Sequence, residues 1–150
     1  MSNFQEYFKA NQELWNQRTR IHKDSDFYNL SSFKKGENAL TSIELAELGD
    51  VIGKTILHLQ CHFGMDTMSW QREGANCVGV DLSDEAIKLA KEINEELKLK
   101  TEFICANIYD LKSALKVSPT GGDLEGAFDI VFTSYGTIGW LPDLDKWAGI

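Results

Sequence analysis

The hydrophobic pattern of residues 55–83 alternates between two kinds of segment in a strict order. Apolar runs at 55–60 and 76–81 predict two strands, and between them a turn that ends at Gly64 leads into an amphipathic segment. This order predicts a β-α-β unit whose second strand carries Asp81 at its tip. Such units bind ligands at the carboxyl ends of their strands, and a carboxylate there suits a ligand with vicinal ribose hydroxyls.

The pattern continues on both sides of this unit. Apolar residues recur at helical spacing over 3–19 and over 84–97, where Ser83 is the expected N-cap. Two further strands are predicted at 101–105 and 128–134, the latter reading FDIVFTS, which is typical of a strand buried on both faces of a sheet. Two helix starts are also predicted: Thr41 or Ser42 is the expected N-cap of a helix at 41–48, and Asp66 or Thr67 is the expected N-cap of the helix after the first strand. The remaining segments are predicted to be an irregular stretch at 22–35, a short helix at 111–115, an exposed loop at 117–126 and a helix near 147–150.

The alternation of strands with helices indicates one α/β domain. It predicts a Rossmann-like three-layer sandwich with a mostly parallel sheet and right-handed crossovers. A length of 150 residues is typical of about one domain. Only about four strands can be placed in it.

Composition and charge narrow the class of protein. Hydrophobic residues make up 43% and charged residues 25% of the chain, as in globular proteins, and the net charge of -8 argues against a nucleic-acid backbone as partner. The polar start of the chain predicts no signal peptide, and no apolar run approaches the ~20 residues of a membrane span. We therefore expect a cytoplasmic protein, in which Cys61, Cys77 and Cys105 are small buried hydrophobes rather than disulfide partners.

The turn after the first strand discriminates between two ribose-containing ligands. It reads Gln60-Cys61-His62-Phe63-Gly64, so a single glycine remains where a dinucleotide-binding turn would have the spacing G-x-G-x-x-G. A turn this bulky is poorly shaped to hold a pyrophosphate. S-adenosylmethionine (SAM) has a ribose but presents its amino-acid end to such a turn. The residues therefore favour SAM over NAD.

Three segments carry a resemblance to a known family. ILHLQCHFG at 56–64, GVDLS at 79–83 and FDIV at 128–131 resemble class I SAM-dependent methyltransferases, whose first motif is close to V-L-D-L-G-C-G-x-G. This chain departs from that motif at three positions. His58 stands in place of the acid, Gln60 in place of the first glycine and His62 in place of the second. The LQCHFG variant is similar to a bacterial methyltransferase-like subgroup of uncertain substrate.

The resemblance implies where the adenosine half of SAM binds. Asp81 would accept hydrogen bonds from both ribose hydroxyls, the alternative being an acid that merely flanks the next helix. Leu82 would pack on the adenine, Asn107 would accept a bond from the adenine amino group, and Ile108 would cover the ring. Ordinary core packing is the alternative for Ile108.

The resemblance also assigns the other half of the site. The residues that would line the methionine end are Gln60, Cys61, His62 and Gly64, with simple loop geometry as the alternative for Gln60 and His62. Ser134 and Tyr135, after the fourth strand, would lie where methyl group and acceptor meet. No residue is identified as a general base, so the acceptor, expected to be a small molecule, cannot be read from the sequence. S-adenosylhomocysteine would be the product.

Other interpretations of single residues stay open. Trp15, with Arg18, could close over the cofactor as part of a lid, or Trp15 could pack its helix on the sheet edge. His58, Cys61 and His62 include zinc-ligating types, but no fourth ligand has matching spacing, so we expect no metal site. Nucleophilic catalysis by Cys61 lacks an orienting group.

A sheet of this family has seven strands, and the resemblance therefore predicts a chain truncated after strand four. We divide it into an N-terminal helical cap or lid region at 1–50 and the N-terminal part of a SAM-binding domain at 51–150. The exposed fourth strand is explained either by a longer enzyme or by a homodimer. A non-catalytic, methyltransferase-like scaffold is the alternative function, and a dinucleotide oxidoreductase is disfavoured by the turn.

Overall fold

The computed structural model describes residues 4–116 and 128–150. Within them, four parallel strands form one sheet in the order β3-β2-β1-β4, with β1 at Thr55–Leu59, β2 at Asn76–Asp81, β3 at Glu102–Cys105 and β4 at Ile130–Thr133. The helices are α1 (Gln5–His22), α2 (Leu30–Lys34), α3 (Ser42–Leu48), α4 (Met65–Arg72), α5 (Asp84–Glu96), α6 (Leu111–Lys116) and α7 (Leu144–Ala148), with single 3-10 turns at Ile108–Asp110 and Ile138–Trp140. The predicted Rossmann-like α/β class with a parallel sheet is confirmed.

Apolar side chains cover both faces of the sheet, as parallel strands require. Alternation along β1 sends Ile56 to one face and Leu57 to the other. The face of Ile56 packs against α4 and α5 through residues such as Met68, Trp70 and Ala90. The opposite face is covered by the 3-10 turn at Ile108–Asp110 and by α6.

The register of the strands gathers three connecting segments at one edge of the sheet. Leu59 at the end of β1 lies beside Val80 of β2 and Thr133 of β4. Because these strands are parallel, the segments that follow them leave from the same edge. The edge of the sheet at which the sequence places ligand-binding residues is thus built by three strands at once.

Most predicted helix ends are confirmed, and one is wrong. Ser83 caps α5 by accepting from the Ala86 amide at 3.0 Å, and Thr41 caps α3. Helix α4 has no side-chain cap, since it follows Gly64 in a left-handed conformation, and neither Asp66 nor Thr67 serves as N-cap. The helix begins earlier than predicted because a residue with φ near 75° already turns the chain.

Three other expectations are corrected. Strand β4 is not buried on both faces, because it is an edge strand of the described sheet in which Val131 is 63% exposed and Phe132 is buried. Cys105 is exposed at the end of β3, whereas Cys61 and Cys77 are buried as expected. The stretch at 22–35 contains the short helix α2. The loop predicted at 117–126 lies outside the described residues.

Candidate functional site

The turn after β1 has the backbone of a glycine-rich turn although glycine remains at only one position. Gln60 and His62 have φ values of 55° and 53°, and Gly64 has 75°. A left-handed conformation costs a residue with a side chain roughly 1–2 kcal/mol. Such strain is typical of functional sites, where the surrounding structure holds it in place. The departures from the family motif therefore change the side chains of the turn rather than its course.

Asp81 is fixed at the tip of β2 by two backbone amides. The His62 amide donates to Oδ2 at 2.8 Å and the Ser83 amide donates to Oδ1 at 2.8 Å. Burial raises the pKa of Asp81, and backbone hydrogen bonds from Ser83, His62 and Leu82 oppose that rise. A carboxylate offers about four acceptor positions, so Asp81 keeps the capacity to accept a hydrogen bond from a ligand.

A cleft of about 530 Å³ opens at this edge of the sheet, within the size range of small-molecule sites. All ten residues predicted for the cofactor site line it: Gln60, Cys61, His62, Gly64, Asp81, Leu82, Asn107, Ile108, Ser134 and Tyr135. The structure therefore brings together side chains that are more than 70 positions apart in sequence.

One end of the cleft lies at the segments after β2 and β3. The Asn107 Oδ1 atom accepts from the Tyr109 amide at 3.1 Å and still has a free lone pair. Ile108 is 7% exposed, packs in the core and also lines the cleft. Its contact with the adenine stays a prediction. The Leu82 carbonyl accepts from the Gln12 side chain of α1 at 3.0 Å.

At the turn after β1, two buried polar atoms have no partner among the described residues. The Gln60 side chain donates from Nε2 to the Thr137 carbonyl at 3.1 Å, and its Oε1 is one of these atoms. The other is His62 Nδ1. Burial and the neighbouring His22 and Arg18 lower the pKa of His62 to about 3, so its ring is neutral. Burial raises the pKa of the Cys61 thiol, which leaves little nucleophilic thiolate.

Helix α1 supplies an aromatic wall to the cleft. The Trp15 ring lies 5.3 Å from the His62 ring and 5.5 Å from the Trp140 ring, measured between centroids. The Arg18 guanidinium carbon lies 4.9 Å from the Trp15 ring centroid and 5.1 Å from that of Trp140. Trp15 also lines the cleft, and its role over the cofactor stays a prediction.

Asp66 lines the cleft too, and the sequence did not single it out as functional. Burial and the nearby Glu44 raise the pKa of Asp66 to about 6, against a hydrogen bond from Ser134 that lowers it. Perturbed carboxylates in clefts are typical of functional sites. The sequence signal is no more than an acid two positions after Gly64, in a segment where Asp66 or Thr67 is the expected helix cap.

Removal of the Asp66 charge should stabilise the fold. The pKa of Asp66 is raised in the folded state from 3.8 to about 6, so its ionisation opposes folding above pH 6, and this cost disappears as the pH falls toward 4. We expect Asp66→Asn to increase the free energy of unfolding at pH 7.5 by about 1–3 kcal/mol and to have little effect near pH 4. Urea unfolding at both pH values measures this. Asp110→Asn, at an exposed acid, is the control, and an Asp66→Asn variant that behaves like it would contradict the prediction.

The residues considered for a metal site do not form one in the structure. His58 is buried within β1, and its Nδ1 lies 2.7 Å from the Thr67 hydroxyl. Within residues 4–116 and 128–150, no three His, Cys, Asp or Glu side chains are grouped so that they could hold a metal ion. The helices in these ranges are all too short or too polar to cross a membrane.

Comparison with known proteins identifies the family. A family model described as a methyltransferase domain matches residues 56–149, more than half of the chain. The chain therefore belongs to the methyltransferase domain family. Both the expected methyltransferase class and its cofactor, S-adenosylmethionine, are confirmed at the level of the family.

One relative is similar to this chain in sequence, and two solved structures are similar to it in fold. The chain is 30% identical over 91 residues to phosphoethanolamine N-methyltransferase 1 of Triticum aestivum, a match that covers 61% of the chain and 17% of the plant protein. A TehB-like SAM-dependent methyltransferase from Corynebacterium glutamicum has a similar fold, with a TM-score of 0.54 at 20% identity, over 90% of this chain and 60% of that one. A SAM-dependent methyltransferase from Clostridium acetobutylicum gives 0.52 at 21% identity, over 85% and 44%. The chain thus spans about a sixth of the plant relative.

Proposed function

We propose that this chain binds S-adenosylmethionine in the cleft and forms the cofactor-binding part of an enzyme that methylates a small-molecule acceptor. The observation that carries the proposal is Asp81, whose carboxylate lines the cleft and is held by the backbone amides of His62 and Ser83, one on each oxygen. A rigid carboxylate of this kind matches two vicinal ribose hydroxyls. Truncation after β4 and a homodimer remain predictions.

The described residues fit the cofactor at its amino-acid end as well. Gln60 Oε1 is buried and lacks a partner among them, which makes it a suitable acceptor for the ammonium group of the methionine moiety. The left-handed turn from Gln60 to Gly64 keeps the backbone close to the cleft. Asn107 and Ile108 would hold the adenine at the far end.

The cofactor supplies a methyl group on a positively charged sulfur, which is a good leaving group. The residues of the cleft therefore need to bind, orient and exclude water rather than to activate the donor. Trp15 and Trp140 shield the turn after β1, and the neutral His62 ring adds no opposing charge.

Calorimetric titration with S-adenosylhomocysteine tests the proposed function. We expect saturable binding at one site per chain, and no comparable heat on titration with NAD, because the bulky turn lacks room for a pyrophosphate. A folded sample that does not bind S-adenosylhomocysteine would disprove the proposal. Tight NAD binding would instead support a dinucleotide-dependent enzyme.

We also propose that α1 acts as the lid of this site. Asn16 connects α1 to the segment after β2, since the Ser83 hydroxyl donates to its Oδ1 at 2.6 Å and its Nδ2 donates to Asp84 at 2.8 Å. An ion pair between Arg20 and Glu85, at 3.1 Å, adds to this contact between α1 and the start of α5.

Weakening the contact between α1 and the start of α5 should speed release of the cofactor. We expect Asn16→Ala to increase the dissociation rate of S-adenosylhomocysteine several-fold with a smaller change in the association rate, because a net hydrogen bond contributes about 1 kcal/mol. Stopped-flow Trp fluorescence measures both rates. Glu13→Ala, on the exposed face of α1, is the matched control. Equal dissociation rates for the two variants would argue against a lid.

A further inference from the structure

The charged side chains in the wall of the cleft are acidic. Three carboxylates line it, those of Glu37, Asp66 and Asp81, and the described residues of the wall include no Lys or Arg. The Arg18 guanidinium packs against the Trp15 and Trp140 rings of the wall, so the carboxylates still outnumber the cations near the cleft. His62 is neutral at physiological pH because burial lowers its pKa to about 3. A cleft of this kind repels anionic ligands and favours neutral or cationic ones.

Asp66 stands at the end of a hydrogen-bonded chain that leads from the interior to the cleft. His58 Nδ1 lies 2.7 Å from the Thr67 hydroxyl, and His58 Nε2 lies 3.4 Å from the Ser134 hydroxyl. Ser134 and Asp66 both line the cleft, and Ser134 lowers the Asp66 pKa by hydrogen bonding. One arrangement of protons satisfies all of these groups: Thr67 donates to Nδ1, Nε2–H donates to Ser134, and Ser134 donates to the Asp66 carboxylate.

This series of hydrogen bonds explains why a histidine stands at position 58 of β1. Burial lowers the pKa of His58 to about 3, so the ring stays neutral and can donate through only one nitrogen. The donor nitrogen fixes the direction of the Ser134 hydroxyl and thereby holds one oxygen of Asp66 in place. The remaining lone pairs of that carboxylate are left for a ligand.

We propose that Asp66 is a catalytic residue that takes the proton of the methyl acceptor, and that the acceptor is a neutral or cationic amine or alcohol without a phosphate group. The inference rests on the proposed function of the cleft. A lone pair on the nitrogen or oxygen of the acceptor, which an ammonium group gains only by losing its proton, forms a bond to the methyl carbon, and the carbon–sulfur bond breaks with its electron pair remaining on sulfur. The proton of the acceptor passes to a carboxylate oxygen of Asp66, while Ser134 positions that carboxylate.

The groups that face Asp66 allow it to do this near neutral pH. Although burial raises the pKa of Glu44, its hydrogen bonds, chiefly those from Thr41, outweigh that effect and lower it, so Glu44 stays ionised. Burial raises the pKa of both Tyr28 and Cys61, which stay neutral. Asp66 is therefore the group of this set that changes charge between pH 5.5 and 7.5.

Sinefungin provides a probe, because it is a SAM analogue in which a carbon bearing a primary ammonium replaces the methyl-bearing sulfur. A carboxylate that receives a proton at the site of transfer must lie close to this ammonium. We expect the wild-type chain at pH 7.5 to bind sinefungin at least tenfold more tightly than S-adenosylhomocysteine, whose thioether sulfur carries no charge at this position. In Asp66→Asn the preference should fall at least tenfold, with the affinity for S-adenosylhomocysteine changed less than threefold.

The pH dependence of the preference for sinefungin and a control variant show whether the Asp66 charge causes that preference. The wild-type preference should shrink between pH 7.5 and 5.5, whereas Asp66→Asn should show little change over this range. Asp110→Asn, at an exposed acid outside the cleft wall, should keep the wild-type preference. An Asp66→Asn variant with the wild-type preference would overturn the inference, and folding does not confuse the result because this variant is expected to be more stable. If the wild type binds neither compound, the proposed function fails rather than the role of Asp66.

Discussion

Replacement of Asp81 by alanine should weaken binding of S-adenosylhomocysteine about 10- to 100-fold. Hydrogen bonds to a charged group contribute about 1.5–3 kcal/mol, and every 1.4 kcal/mol changes an affinity tenfold. The carboxylate is already oriented by the amides of His62 and Ser83, so binding does not have to order it. Isothermal titration calorimetry of the wild type and the variant measures the difference.

The same replacement removes the acceptor of two backbone amides, so folding must be checked separately. Circular dichroism and the melting temperature of Asp81→Ala show whether the variant is folded at the temperature of the titration. Asp110→Ala, at an exposed acid that does not line the cleft, should bind like the wild type. A folded Asp81→Ala variant with unchanged affinity would remove the ribose-binding role.

The largest expected effect on stability belongs to Gly64→Ala. A Cβ atom at this position would lie 2.4 Å from two ring atoms of Phe103, and the φ of 75° disfavours any side chain. The left-handed conformation costs about 1–2 kcal/mol, and forcing extra volume into a packed core costs a further 1–3 kcal/mol or so. We therefore expect the free energy of unfolding, measured in urea, to fall by about 2–5 kcal/mol.

A second glycine separates the two causes. Gly53 has nearly the same φ, 74°, but a Cβ there would have no neighbour within 4 Å. Gly53→Ala should therefore lose only the conformational part, about 1–2 kcal/mol. If both variants lose the same free energy of unfolding, the contact with Phe103 is not what requires glycine after the turn.

Much of the fold could be predicted because its signals are local. Strand β2 was predicted with its observed bounds, since apolar alternation and Asp81 mark both its course and its end. The cap at Ser83 likewise depends on residues only three positions apart. Strand β4 was predicted too long and too buried, because the exposure of Val131 depends on which strand lies at the edge of the sheet, and composition does not contain that information.

The site also has parts that local sequence signals predict and parts that depend on segments far apart in sequence. The residues after β1, β2 and β3 could be predicted because family motifs mark the ends of strands. Asp66 was missed because its environment is made by Glu44 and Ser134, from segments far apart in sequence. The φ values of Gln60 and His62 were also hidden, since their side chains give no indication that the backbone keeps the conformation of glycine.

The central claim is that Asp81 binds the ribose of S-adenosylmethionine in the cleft, and a crystal structure with S-adenosylhomocysteine tests it most directly. The account predicts that both ribose hydroxyls lie within hydrogen-bond distance, about 2.6–3.2 Å, of the Asp81 carboxylate. It also predicts that the amino-acid end of the ligand lies over the turn from Gln60 to Gly64. A ligand bound elsewhere, or in the cleft with its ribose away from Asp81, would contradict the account.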